Sequence, residues 1–139
     1  MKQSTYIMLK PDALERNLIG EIISRIERIG YKIVNCKMMQ LDEPILREHY
    51  AHLAEKPYFM EVIQYMMRGP VLAMIVEGEN AVAGMRKLMG ATSFNETIPG
   101  TIRGDFSSGT AENLIHGSDS EENAQIEIER FFGDRKSVV

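Results

Sequence analysis

The chain has 139 residues, of which 44% are hydrophobic and 26% charged, which reads as a single folded domain spanning 1–139 and excludes intrinsic disorder and fibrous repeats. No apolar run approaches the roughly 20 residues that span a bilayer, so no membrane partner is expected. The net charge is -4, with 12 basic and 11 acidic side chains in residues 1–89 and 4 against 9 in residues 90–139, so no stretch offers the extended cationic surface that nucleic acid requires. Cys36 is the single cysteine, which rules out an internal disulfide and points to a reducing compartment. The N-terminus runs directly into an apolar segment without a targeting pattern, and a cytoplasmic location is the expectation.

Thr5–Leu9 is a short β-prone run closed by Lys10-Pro11-Asp12, a strand ending in a turn. Ile19, Ile22, Ile23, Ile26 and Ile29 recur at helical spacing until Gly30 stops them, and Tyr31–Gln40 alternates as a second strand. Asp42 followed by Pro44 starts a helix expected to reach about Glu55, with a second short helix over Tyr58–Met67 after the Lys56-Pro57 break. Val71–Val76 is a strand, Asn80–Met89 a helix closed by Gly90, and residues 91–112 a long loop of the kind that often carries function. Asn113–His116 is a short strand candidate, and Ser118-Asp119-Ser120-Glu121 signals the cap of a last helix reaching about Phe132. The order fits an α+β, ferredoxin-like βαββαβ arrangement, with a four-stranded antiparallel sheet covered by helices on one face.

Neither a G-x-x-x-x-G-K-[ST] loop nor a G-x-G-x-x-G turn is present, and one cysteine with three histidines does not make a zinc site. His49 and His52 stand at i and i+3 among Glu48, Glu55 and Lys56 and read as a solvated helix face. His116 lies between a strand and a capped helix, where it reads equally as a half-buried structural residue or as a base or nucleophile, and Gly117 leaves space beside it. A nucleophilic imidazole needs one free nitrogen and an acceptor on the other, and Glu127 is the candidate acceptor, against a reading of simple solvation beside Glu129. Arg103 is the one basic side chain between Gly90 and Glu129, able to fork onto a phosphate or to pair with Asp105 or Glu96. Lys10 sits at the end of the first strand, either facing a ligand or simply exposed, and the ten methionines read as core filling.

Lys10-Pro11-Asp12, Gly100-Thr101-Ile102-Arg103-Gly104-Asp105 and Asn113-x-x-His116-Gly117-Ser118-Asp119-Ser120 occur in this order, alongside Glu48-His49-Tyr50, Gly69-Pro70-Val71 and Glu77-Gly78-Glu79-Asn80-Ala81. Together they resemble the nucleoside diphosphate kinase family over almost the entire chain. The resemblance implies reversible transfer of a γ-phosphate from a nucleoside triphosphate to a nucleoside diphosphate, in a ping-pong cycle with Mg²⁺ bound mainly through the nucleotide phosphates. It implies His116 as the phosphorylated histidine, Glu127 orienting its ring and Ser118 supporting that carboxylate. Lys10, Tyr50, Arg86, Thr92 and Arg103 match phosphate-holding positions, Asn113 the ribose contact and Tyr58 the aromatic on which the base stacks. A homo-oligomer, tetramer or hexamer, is implied as well. Three positions depart from the usual pattern: Tyr58 where phenylalanine is common, Ser93-Phe94 where Asn-Pro is common, and Thr110 where a small apolar residue backs the base.

Two other readings differ in what they require. A catalytically idle nucleotide-binding relative need not retain His116, Glu127, Lys10, Arg86 and Arg103 together. A ferredoxin-like RNA-binding module needs paired aromatics on a middle strand and a basic face, and Val71–Val76 has no aromatic residue.

Overall fold

The computed structural model describes residues 1–133, so residues 134–139 of the expected domain lie outside the described residues. Four strands, β1 (Lys2–Leu9), β2 (Lys32–Met39), β3 (Val71–Glu79) and β4 (Ile115–Gly117), form one sheet in the order β2-β3-β1-β4. Every neighbouring pair is antiparallel. This is the expected ferredoxin-like order, with the two longest apolar strands at the centre. Residues in β1 and β3 alternate between the two faces, as a period of two demands, and here both faces are covered. Ile7, Leu9, Leu72, Met74 and Val76 pack on one side against Ile22, Ile26, Met85 and Met89. Tyr6, Met8, Val71 and Ala73 pack on the other against Leu46, Phe59, Ile63, Met66 and Phe131. The expectation of helices on one face is thereby corrected. The continuous apolar runs of β1 and β3 are the sign of a strand buried on both sides.

The described residues hold seven α-helices, six in the connections between strands and the last after β4: α1 (Pro11–Glu15), α2 (Ile19–Arg28), α3 (Glu43–His49), α4 (Phe59–Met67), α5 (Ala81–Met89), α6 (Ile102–Phe106) and α7 (Glu121–Phe132). In α2 the expected isoleucine stripe is buried at Ile22 and Ile26, whereas Ile29 has left the helix and is exposed. Asp42 caps α3 as expected, its side chain accepting from the Ile45 amide at 3.1 Å. That helix ends at His49 and not near Glu55, the chain continuing as a 3-10 turn over Ala51–Leu53. Lys10-Pro11-Asp12 opens a short helix where a plain turn was expected, with Pro11 in its first turn, where a missing N–H costs nothing. The 91–112 loop likewise contains α6 and a 3-10 turn at Phe94–Glu96. Gly90 closes α5 at φ +92°, a conformation that favours glycine. Of the ten methionines, Met8, Met66, Met74, Met85 and Met89 are fully buried, while Met1, Met38, Met60 and Met67 are exposed, so core filling describes only part of the set. No helix among the described residues is long and apolar enough to cross a membrane.

Candidate active site

At the end of the sheet where β1 leads into Lys10 and β4 carries His116, an open cleft of about 650 Å³ is formed. Lys10, Arg86, Thr92, Arg103 and Asn113 line it, as do His116 and Glu127. Seven of the ten expected site residues, from well-separated parts of the chain, therefore meet at one surface.

His116 is positioned by an unusual piece of backbone. Leu114 is fully buried at φ +77°, and the Ile115 amide donates to the Asn113 carbonyl at 2.9 Å, a γ-turn of the strained, positive-φ kind. The turn delays β4, which runs Ile115–Gly117 and not from Asn113 as expected, and pairs His116 with Met8. Arg103 secures this bend. Its guanidinium is buried and donates to the carbonyls of Asn113 (3.3 Å), Ile115 (2.5 Å) and Gly90 (3.1 Å) and to Thr92 Oγ1 (3.5 Å). It does not pair with Asp105 or Glu96; Asp105 instead binds Arg25 at 2.7 Å. Burial, with Arg86 adding to it, brings the Arg103 pKa down to about 10, which leaves it charged at neutral pH.

The His116 Nε2 lies 2.9 Å from Glu127 Oε1, and Ser118 Oγ donates to the same oxygen at 2.6 Å. Glu127 is only 14% exposed, so its solvation reading gives way to the acceptor role. Burial pulls the His116 pKa below the ordinary imidazole range although Glu127 opposes it. Burial alone would raise Glu127, but the hydrogen bonds from His116 and Ser118 hold it below the usual carboxylate range. The two directions agree on a neutral imidazole beside an ionised carboxylate. Since a carboxylate only accepts, the ring proton sits on Nε2, and Nδ1 keeps its lone pair. Ser118 is thereby drawn away from helix capping; Ser120 caps α7 instead, accepting from the Asn123 amide at 3.0 Å.

Gly117 lines the cleft, but its missing side chain is not what opens it: a Cβ there would face the core, 2.5 Å from Met89 Sδ and 3.2 Å from Ile7 Cδ1, and those side chains would have to shift to admit it. Lys10 Nζ donates to Asn113 Oδ1 at 2.8 Å, and burial lowers its pKa to about 8, with Arg103 adding to the shift and Asp12 opposing it. Arg86 donates to the Gly117 carbonyl at 3.1 Å. Tyr50 is buried, its ring edge-on to His49 at 4.8 Å, and it does not line the cleft. Tyr58 is half exposed just ahead of α4 and also stands outside the lining. Two of the departures from the family pattern meet: the Phe94 amide, which a proline would lack, donates to Thr110 Oγ1 at 2.8 Å.

Of the cleft residues missed from the sequence, His49 and Arg130 stand in the reactive ring's surroundings. His49 is not on a solvated face: it is 5% exposed and its ring lies 4.8 Å from that of His116. The clue was Leu46 three residues before and Leu53 four after, which put position 49 on the apolar side. Arg130 reaches the same place from α7, with no local signal to mark it. His52 is exposed, as expected, but it too lines the cleft.

The family model for nucleoside diphosphate kinase matches residues 3–137. The nucleoside diphosphate kinase of Exiguobacterium sibiricum is 51% identical over 130 residues, covering 94% of this chain and 94% of its own. The crystal structure of nucleoside diphosphate kinase from Encephalitozoon cuniculi superposes with a TM-score of 0.92 at 45% identity, covering 95% of this chain and 90% of that one. The structure of a halophilic nucleoside diphosphate kinase from Halobacterium salinarum, in complex with CDP, gives 0.92 at 44% identity, covering 96% of this chain and 90% of that one. By motif, fold and likeness over nearly its whole length, the chain belongs to the nucleoside diphosphate kinase family of phosphotransfer enzymes.

Proposed function

We propose that the protein transfers the γ-phosphate of a nucleoside triphosphate reversibly to a nucleoside diphosphate through a phosphohistidine at His116, and so maintains nucleotide pools in the cytoplasm. The observation that carries this reading is the His116 ring: Nε2 is held by Glu127, and Nδ1 is without a hydrogen bond among the described residues of a cleft lined by Lys10, Arg86 and Arg103. The Nδ1 lone pair forms a bond to the γ-phosphorus as the bond to the β–γ bridging oxygen breaks, and that electron pair leaves with the nucleoside diphosphate. The ring takes on positive charge, which Glu127 stabilises through Nε2–H, while Ser118 fixes the carboxylate. A second diphosphate then reverses the step.

Phosphoryl transfer spreads charge over three equatorial oxygens, so most of the catalysis is positioning and cationic stabilisation. Arg103, Arg86, Lys10 and Thr92 are assigned to the phosphates and Asn113 to the ribose. Tyr50 and Tyr58 are assigned to phosphate and base by the family pattern. The carboxylates of the cleft are committed elsewhere: Glu127 to His116 and Ser118, Glu48 to Arg130, Asp119 to Asn123. That donor set fits a Mg²⁺ carried in on the phosphate oxygens, where it neutralises their charge, better than a cage of protein ligands. A homo-oligomer, tetramer or hexamer, is part of the same proposal, and light scattering measures it directly.

Incubation with γ-labelled ATP is expected to give an acid-labile, base-stable phosphoenzyme that any nucleoside diphosphate discharges. Equal labelling of a His116→Ala variant would refute the mechanism.

A further inference from the structure

Three imidazoles line the cleft, and the hydrogen bonds of the two that touch each other, His49 and His116, differ in kind. His49, the last residue of α3, is buried edge-on to His116, with ring centroids 4.8 Å apart and planes at 77°. Arg130 Nη1 stands 2.8 Å from His49 Nδ1. A guanidinium has donors only, so Nδ1 must accept, and the neutral ring carries its proton on Nε2. Arg130 is itself held on its far edge by Glu48, Nε to Oε2 at 3.2 Å, and its side chain is 13% exposed. His116 is the same tautomer, but its hydrogen bond falls on the other nitrogen: Nε2–H is given to Glu127, and Nδ1 is without a hydrogen bond among the described residues.

We propose that Arg130 silences His49 as a competing phosphoacceptor: it occupies the Nδ1 lone pair while Nε2 carries the proton, so that of these two adjacent rings only His116 takes the phosphoryl group. The inference rests on the reading of His116 as the phosphorylated residue and adds what selects it over its neighbour. Protonation does not do the silencing. The charged and titratable groups facing His49 are Arg130 and Glu127 on α7, His116 on β4, Lys10 after β1 and the neighbouring Tyr50 ring. Burial brings its pKa to about 3, His116, Arg130 and Lys10 push the same way, and only Glu127 opposes them. His49 is therefore neutral across the working pH range, and a neutral imidazole is a nucleophile unless its lone pair is engaged. Once Arg130 is removed, a ring nitrogen of His49 can form the N–P bond as the bond to the bridging oxygen breaks, the diphosphate departing with the electron pair and the ring proton staying on the other nitrogen.

The test has two arms on the full chain. In the first, histidine-labelled wild type is examined by long-range ¹H–¹⁵N correlation between pH 6 and 8. His49 is expected as the Nε2–H tautomer throughout, and an Nδ1–H tautomer or a protonated ring would overturn the proposal without touching the role of His116. In the second, wild type, Arg130→Met and Arg130→Lys are incubated with γ-labelled ATP and the phosphohistidines are mapped in peptides. Wild type should carry label at His116 alone, Arg130→Met should carry at least tenfold more at His49 than wild type does, and Arg130→Lys, which restores a donor, should suppress it again. Normal labelling of His116 with none at His49 in Arg130→Met would overturn the inference alone. Wild type without label at His116 would overturn the phosphohistidine reading and this inference with it.

Discussion

Replacing Glu127 by glutamine separates the geometry of the His116 pair from its charge. The amide oxygen of Glu127→Gln can still accept from His116 Nε2–H, now 2.9 Å from Oε1, and from Ser118 Oγ, now at 2.6 Å. The tautomer is preserved and Nδ1 stays free, so what is lost is the negative charge beside a ring that becomes positive as the N–P bond forms. A unit pair about 4 Å apart at an effective dielectric of about 20 interacts by about 4 kcal/mol. The carboxylate is 14% exposed, so solvent screens little of this. With about half the charge developed at the transition state, the loss is about 2 kcal/mol, or roughly 30-fold in the rate of phosphoenzyme formation. Rapid-quench single turnovers with γ-labelled ATP measure that rate without interference from the second half-reaction. Glu127→Ala, which also frees the tautomer, should be slower still. A Glu127→Gln rate within about threefold of wild type would show that the charge is not used and would reduce Glu127 to a tether.

The Lys10 pKa, lowered to about 8 chiefly by burial, sets an alkaline limit. The cationic form holds phosphate, so kcat/KM should be level below pH 8 and fall as pH rises above it; Lys10→Arg should move the fall beyond pH 10, and a wild-type profile level to pH 9.5 would remove Lys10 from the site. Arg103→Ala should lower kcat/KM by about 10²- to 10³-fold and also lower the urea midpoint, because the carbonyls of Gly90, Asn113 and Ile115 lose their donor. Full kcat/KM in that variant would contradict its assignment to phosphate. Tyr6 Oη is buried with no hydrogen-bond partner among the described residues, so Tyr6→Phe should stabilise the fold by about 1 kcal/mol in urea unfolding. A loss of stability would mean that the hydroxyl has a partner after all.

The long elements were legible because a single period dominates each: Ile22 and Ile26 mark the buried stripe of α2, and the unbroken apolar run of Val71–Val76 marks a central strand. Short elements were not. α1 and α6 have five residues each, too few to stand by their own propensity, and only tertiary contacts define them. The β4 start slipped from Asn113 to Ile115 because nothing about a leucine at 114 announces a positive φ. In the site, the linear motifs carried Lys10, Arg103, Asn113 and His116, all within compact signatures. Glu127 was found by its spacing from His116, whereas the pairing of Arg130 with His49 joins residues 81 apart and leaves no mark on either segment.

The bend at Leu114 has a thermodynamic consequence. A three-residue edge strand joined to β1 at Ile7, Met8 and Leu9 is the kind of segment that opens locally before the rest of the fold. Arg103 grips the carbonyls on both sides of that bend, and the same guanidinium is the one assigned to the incoming phosphates. A ligand that draws Arg103 into register tightens the strand bearing the reactive ring, and by linkage a well-ordered strand improves the grip on the ligand. Amide exchange at Ile115, His116 and Gly117 should therefore slow on adding nucleotide more than exchange in β3, so that substrate completes the rigidity of the site that consumes it.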